Sequence, residues 1–250
     1  MNKRGQVTVF VILGIVILAA VFFVFYFLGD NLVERTNQKV DIEVQPLKTY
    51  VQDCLEKISE EALDLIGRQG GVTDPVNYRL YDGDKVNYLC HTPLDLALCN
   101  NLYPDLKGNI ITEVNEYVEL RLKQCVDISL FEDAGYKIEE GEIKVNTEIF
   151  YEKTVIEVEY PLTITKQDVT VKENDFKVEI DNGLGRILSV VKDIVESETT
   201  VGYFENLLYM VAVRGEVEIE KQVRDDTMIY IINNWQSDYK FKFAVRNLVR

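Results

Sequence analysis

Cys90 and His91 are adjacent residues whose types could do nucleophilic chemistry in this 250-residue chain. A thiol nucleophile needs a base within hydrogen-bond reach, whereas neighbouring residues of an extended chain project in different directions. We therefore expect Cys90 to form a disulfide, with His91 exposed beside it. Since the chain has one histidine, most zinc-hydrolase and triad chemistry is excluded. We expect no enzyme activity and no catalytic residue.

Two further patterns could bind charged groups. Acidic pairs, which could serve acid–base catalysis or calcium binding, stand at Glu60-Glu61, Glu139-Glu140 and Asp225-Asp226. With 42 acidic and 27 basic residues such pairs arise by composition, and we interpret them as solvated faces. Gly183-Leu184-Gly185-Arg186 resembles the start of a phosphate-binding loop but lacks the third glycine and the Lys-Ser that complete one. We expect a tight strand-to-helix turn there, no cofactor and no metal.

The four cysteines leave alternatives open. Cys54 and Cys125 lie on the apolar faces of two predicted helices, which could bring them within the ~5.5–6 Å Cα separation of a disulfide. Cys90 and Cys99 bracket a proline-containing loop that they could close. Four cysteines allow three pairings, and we favour Cys54–Cys125 with Cys90–Cys99. Zinc is a poor alternative because the gaps are 36, 9 and 26 residues. Buried free thiols are the remaining one.

The composition is that of a globular protein, with 47% apolar and 28% charged residues. A net charge of −15 argues against nucleic acid as a partner, because phosphate neutralisation needs clustered lysine and arginine. Trp235 lies between two predicted apolar strands. It either forms an exposed hairpin tip that contacts a partner or folds back onto the core.

An uncharged segment near the N-terminus predicts a transmembrane helix. Residues 5–29 contain no charge, and the nearly unbroken apolar run over 9–28 has the length of about 20 residues that spans a bilayer. Basic residues precede the run and acidic residues follow it, so the positive-inside rule places 30–250 outside the cell. The small residues that could permit close packing between such helices are Gly14, Ala19 and Ala20.

The rest of the chain predicts an α+β domain. Residues 1–29 form the short cytoplasmic N-terminus and the transmembrane helix, 30–46 a polar stalk, and 47–250 one extracytoplasmic domain. Helical spacing of apolar residues predicts amphipathic helices that begin near Leu47, Ile111, Leu184 and Tyr203. Alternating apolar and polar residues over 143–180 predict antiparallel strands, and Val217–Ile219, Met228–Ile232 and Phe241–Val245 are predicted as the last strands. Asp82-Gly83-Asp84, between the apolar stretches Val76–Tyr81 and Lys85–Cys90, predicts a hairpin with a tight turn. The fold class is therefore a transmembrane helix followed by helices packed on antiparallel sheet.

The residues Lys3-Arg4-Gly5-Gln6-Val7-Thr8, followed directly by the apolar run, resemble the class III signal peptide of archaeal type IV pilin-like proteins. In that family a prepilin peptidase cuts after the glycine, and the retained helix packs into a filament core. The resemblance implies processing between Gly5 and Gln6 and assembly through the N-terminal helix. Phe10 stands where the family has a glutamate that helps docking during assembly.

A wider pattern is similar to membrane-anchored surface proteins of small-genome archaea. Its parts are Val51–Glu56 running into Gln69–Gly71, the helix ending at Cys125, Tyr160–Ile164 and Phe243–Arg246. The resemblance implies a location and an architecture but no activity. Both helix cysteines match the pattern, which supports pairing Cys54 with Cys125.

These observations favour a membrane-anchored structural or interaction protein of the cell surface. We expect it to be a single-pass protein that self-associates through its N-terminal helix, as a pilin-like subunit of a filament does, and that contacts a cell-surface protein. The alternative is a monomeric anchored ectodomain that binds a ligand or has an envelope-associated enzyme activity. That alternative requires a deep apolar pocket with convergent polar groups in the outer domain.

Overall fold

A computed structural model describes residues 18, 45–94, 97–167, 169–213 and 215–247. The chain divides into two compact units, Met1–Thr49 and Tyr50–Arg250. In the first unit the described residues, Leu18 and 45–49, are helical. The second unit holds all the sites considered below, and we refer to it as the head domain.

Five helices are described: α1 over 45–69, α2 Leu106–Cys125, α3 Ser129–Glu132, α4 Leu184–Thr200 and α5 Asn206–Ala212. The three long helices bury apolar residues three or four apart, as their spacing predicts. In α2 these residues are Ile110, Val114, Val118 and Leu122. After α1, Gly70 and Gly71 have φ values of 73° and 91°, in the left-handed region that stops a helix.

The described strands are β1 Tyr78–Tyr81, β2 Asp84–His91, β3 Asn100–Asn101, β4 Lys137–Glu140, β5 Lys144–Ile149, β6 Thr154–Lys166, β7 Val169–Ile180, β8 Val217–Arg224, β9 Thr227–Asn234 and β10 Lys240–Arg246. The first sheet has the order β1-β2-β10-β9-β8, with β3 also paired to β2. In the second sheet β4 and β5 pair with one side of β6, and β7 pairs with the other side.

The two sheets differ from the predicted all-antiparallel arrangement at one place. Strands β2 and β10 run parallel, with Ala244 opposite Tyr88 and Val245 opposite Cys90. Alternation of apolar and polar residues reports which face is buried but not the direction of a neighbour, so the sequence could not show this pairing. The predicted hairpin at Asp82-Gly83 is present, because both residues adopt the positive φ that its two-residue turn needs.

The membrane-spanning helix is the part of the predicted fold class that proves wrong. Among the residues that the structure describes, no helix is long and apolar enough to cross a membrane. The described long helices carry charged residues in successive turns, as at Asp53, Glu56 and Glu60 of α1. The residues on which the transmembrane, processing and helix-packing predictions rest, apart from Leu18, lie outside the described residues, including Gly5, Gln6, Gly14, Ala19 and Ala20.

Candidate functional site

Two disulfides brace the head domain. Cys54 of α1 bonds to Cys125 at the end of α2, with a Cα separation of 6.0 Å. Cys90 of β2 bonds to Cys99, which directly precedes β3, with a Cα separation of 5.4 Å. This is the favoured pairing, and it excludes both the free-thiol and the zinc alternatives for these cysteines. Because disulfides persist in oxidising compartments, the pair indicates an extracellular location.

The disulfide also removes Cys90 from nucleophilic chemistry. His91, expected to be exposed, is instead partly buried at the end of β2. Burial lowers the pKa of His91, and the Arg246 guanidinium lowers it further. Arg246 donates a 2.6 Å hydrogen bond to Asp226, which outweighs burial and holds the pKa of that carboxyl below its ordinary value. His91 therefore lies beside the Arg246–Asp226 ion pair, which joins the end of β10 to the turn before β9. Because Cys90 is bonded to Cys99, it offers His91 no free thiol.

A cleft of about 570 Å³ lies beside α4 in the head domain, and we term it the α4 cleft. Leu188, Val191 and Val195 form one side of its floor because their spacing places them on one face of α4. Leu89 of β2 and Leu106 of α2 complete the floor. The volume falls in the range of roughly 300–1,000 Å³ typical of small-molecule sites.

The Cys90–Cys99 disulfide holds one wall of the α4 cleft. The wall is formed by residues that follow Cys99, among them Asn101 and Tyr103. The Leu102 amide donates a 2.8 Å hydrogen bond to the Leu89 carbonyl. The Tyr103 amide donates a 2.9 Å hydrogen bond to the Asn101 side chain. A covalent bond and two hydrogen bonds therefore fix this wall, so the cleft is preformed.

The rim of the α4 cleft carries two lysines, Lys107 on α2 and Lys192 on α4. Glu196 and Asp105 also line the cleft, but Asp105 accepts a 3.0 Å hydrogen bond from the Gly108 amide as the N-cap of α2. Neither lysine has an ion pair or hydrogen bond with any part of the chain that the structure describes. The cleft thus combines an apolar floor with two ammonium groups and two carboxylates, whose formal charges balance.

A second cavity, of about 330 Å³, contains the buried carboxylate of Glu198. Tyr230 donates a hydrogen bond to one oxygen of Glu198, and the side-chain amide of Asn247 donates a 3.2 Å bond to the other. Both oxygens are therefore engaged by neighbouring side chains. These bonds join α4 to β9 and to the residue after β10, so Glu198 serves the packing of the domain.

Arg186, in the turn that resembles a phosphate loop, is buried. It donates hydrogen bonds to Glu152, to the Asn234 side chain at 3.2 Å and to the Gln236 side chain at 3.2 Å. The turn itself begins with Gly183 at a φ of 64°, the residue before α4. This arrangement fastens α4 to the β9–β10 hairpin and confirms the expected strand-to-helix turn.

Helix α5 has an exposed apolar face. Leu207, Leu208 and Val211, which we term the α5 surface, are 65–78% exposed, and no residue of α5 is buried. The helix is held to β8 through two contacts with Ile219. The Asn206 side chain donates a 3.1 Å hydrogen bond to its carbonyl, and the Met210 sulfur accepts a 3.1 Å bond from its amide.

The other residues singled out in the sequence lie apart from these sites. Trp235 is exposed at the tip of the β9–β10 hairpin and does not fold back onto the core, whereas its contact with a partner stays a prediction. The acidic pairs fall separately on α1, on β4 and in the β8–β9 turn. Within the described ranges no group of three or more histidine, cysteine or acidic residues could hold a metal ion.

Sequence reasoning missed the two surfaces that stand out in the structure. The lysines of the α4 cleft come from two helices about 85 residues apart, so no local motif marks them. The α5 surface could have been found in the sequence, since residues 207–213 contain no charged side chain and a helix there has no charged face to turn to solvent. No protein-family model, curated protein or solved structure matches this chain.

Proposed function

We propose that this chain is an extracellular structural protein that self-associates, with the α5 surface as a contact between head domains. The observation that carries the proposal is the exposure of Leu207, Leu208 and Val211 on one short helix. Adjacent exposed apolar side chains on a folded domain are typical of protein–protein contacts. The apolar run near the N-terminus is a second contact between copies, as the pilin-like resemblance implies.

The charge of the molecule supports a second copy of the chain as the partner that covers the α5 surface. With a net charge of −15, two copies repel each other over most of their surfaces. Residues 206–213 carry no charged side chain, so two copies meet there without opposing carboxylates. Leu207 and Val211 are one helical turn apart, and Leu208 lies beside them, which gives a continuous apolar strip.

The test compares two variants of the full-length, oxidised chain by sedimentation in mild detergent. L207S/L208S/V211S removes the α5 surface but keeps the residues that hold α5 to β8. Burying each side chain at a contact is worth about 1 kcal/mol or more, so the dissociation constant between copies should rise about 100-fold.

The matched control is L120S/L130S/V76S, which replaces two leucines and one valine that are 60–96% exposed on other elements. The control should associate as the parent chain does. Equal association of all three proteins would contradict the role of α5. A parent chain that stays monomeric at every concentration would overturn self-association itself.

A further inference from the structure

We infer that the tip of the β9–β10 hairpin binds a neutral saccharide. A cavity of about 410 Å³, which we term the hairpin cavity, lies there and is lined by Trp235 and by polar residues of β8, β9, β10 and the turn. Among the described residues that line it, none has an aliphatic side chain. Its volume is in the range of roughly 300–1,000 Å³ typical of small-molecule sites. This activity does not depend on the α5 surface.

A row of three polar side chains crosses the sheet beside Trp235. Glu218 of β8 lies opposite Asn233 of β9, and Asn233 lies opposite Lys240 of β10. Side chains directly opposite each other on neighbouring strands share one face, with Cβ atoms about 4.5–5.5 Å apart. The Asn233 side chain donates a 3.1 Å hydrogen bond to the Glu218 carboxylate and so orients it. The row therefore offers a carboxylate acceptor and an ammonium donor on either side of Asn233.

Trp235 provides the apolar surface of the hairpin cavity. Its side chain is 68% exposed, although tryptophan is highly buried on average. The faces of an indole ring are electron-rich, so they attract the C–H groups that form one face of a pyranose ring. Because Trp235 and Asn233 line the same cavity, the indole and the polar row are available to one ligand.

The hairpin tip is held in place before a ligand arrives. The Asn234 side chain donates a 3.2 Å hydrogen bond to the Asn182 carbonyl and accepts 3.2 Å bonds from Arg186 and from the Gln236 amide. The Ser237 hydroxyl donates a 3.2 Å bond to the same Asn182 carbonyl. These bonds fasten the turn to the start of α4, so little ordering opposes binding.

The charges at the hairpin cavity favour a neutral ligand rich in hydroxyl groups. Glu218, Asp238 and Lys240 line it, so an anion would meet two carboxylates and a cation would meet an ammonium group. The Gln236 side-chain oxygen accepts a 3.2 Å bond from Arg186, which leaves its NH₂ group as a donor. Each hydroxyl of a sugar both donates and accepts, so neighbouring hydroxyls match this mixture of acceptors and donors.

The binding test follows the fluorescence of Trp235 in the full-length, oxidised chain. The probes are hexamers of α-linked glucose, β-linked glucose, mannose, galactose and N-acetylglucosamine. Since Trp235 is the one tryptophan of the chain, a change in emission reports on the hairpin tip. At least one hexamer should shift the emission to shorter wavelength, because the exposed indole leaves water.

Salt distinguishes a neutral ligand from a charged one. The dissociation constant of the bound hexamer should change less than about 3-fold between about 0.05 and 0.5 M sodium chloride, because a sugar carries no charge to screen. A larger change, or no shift of emission with any of the five probes, would overturn the inference. Binding of hexalysine in place of the sugars would assign a basic peptide as the ligand and would also overturn it.

The variants W235A and K240M locate the site, with affinities measured by calorimetry because W235A lacks the fluorescent probe. W235A removes the stacking surface, so the dissociation constant should rise about 10-fold. K240M keeps an unbranched stem but loses the ammonium donor, so the constant should rise about 5-fold.

The matched control for these variants is Y78A. It removes another exposed aromatic side chain, from β1 at the opposite edge of the first sheet, and should bind as the parent chain does. An unchanged affinity in W235A or K240M, or an equal loss in Y78A, would overturn the site. Far-UV circular dichroism checks that the three variants fold.

Discussion

The two disulfides should differ in what they contribute to stability, because they close loops of very different length. Replacing Cys54 and Cys125 by alanine opens a loop of 71 residues, for which the chain-entropy relation gives about 4.4 kcal/mol at 25 °C. Replacing Cys90 and Cys99 opens a loop of 9 residues, for which it gives about 2.6 kcal/mol. C54A/C125A should therefore be the less stable variant, by roughly 2 kcal/mol.

The order of stability of the two variants is informative, because loss of buried cysteine side chains alone would make C90A/C99A the less stable one. Cys90 and Cys99 are 0% and 3% exposed, whereas Cys54 is 5% exposed and Cys125 only half-buried. The assay is urea unfolding of both double-alanine variants and the parent chain, followed by far-UV circular dichroism. Trp235 fluorescence would be a poor probe, since that side chain is already exposed in the folded state. If C90A/C99A proves the less stable variant, the loop-entropy reasoning is refuted.

Three further predictions follow from single residues. His91 should titrate below its ordinary 6.5, as NMR of this single histidine would measure, and the free energy of unfolding should rise with pH between its folded pKa and 6.5. Asp84→Asn should cost about 2 kcal/mol in urea unfolding, because the Lys242 ion pair at 2.8 Å is lost. Burial raises the pKa of Asp84, but Lys242 and Arg68 together outweigh burial and lower that pKa, so the contribution of Asp84 to stability is lost as the pH falls below 3.8 and through the folded pKa. Gly185→Ala should destabilise by about 2 kcal/mol in thermal unfolding, since its Cβ would lie 2.2 Å from the Phe150 carbonyl oxygen.

The sequence predicts those helices, strands and turns that are specified by residues close together in the chain. The spacing of Ile111, Val114, Val118 and Leu122 predicts the buried face of α2, and the structure buries the last three and leaves Ile111 partly buried. Asp82-Gly83 predicts the β1–β2 turn because only a few residue types accept positive φ at both positions. The structure also confirms the disulfide pairing that the sequence favoured among three, with the two helix cysteines bonded to each other and with Cys90 of β2 bonded to Cys99.

The rest depends on contacts between distant segments. The parallel pairing of β2 with β10 joins residues more than 150 positions apart, and no turn residue records it. Helix α5 begins at Asn206, three residues after the predicted start at Tyr203, because the Glu205 side chain accepts a 3.3 Å hydrogen bond from the Leu207 amide and so caps the helix there. The α4 cleft is assembled from a strand, a disulfide-bonded wall and two helices, so its existence is a property of the fold alone.

The contacts between α5 and Ile219 have a consequence for the solubility of the protein. β8 is the last strand of the first sheet, and a strand in that position offers unpaired backbone groups to any other chain. Asn206 and Met210 occupy both backbone groups of Ile219, so α5 shields the middle of this edge. A change that detached α5, such as a proline within it, would uncover a template for strand addition. We would then expect sheet-to-sheet aggregation, whereas serine substitutions that leave Asn206 and Met210 in place should keep the protein in solution.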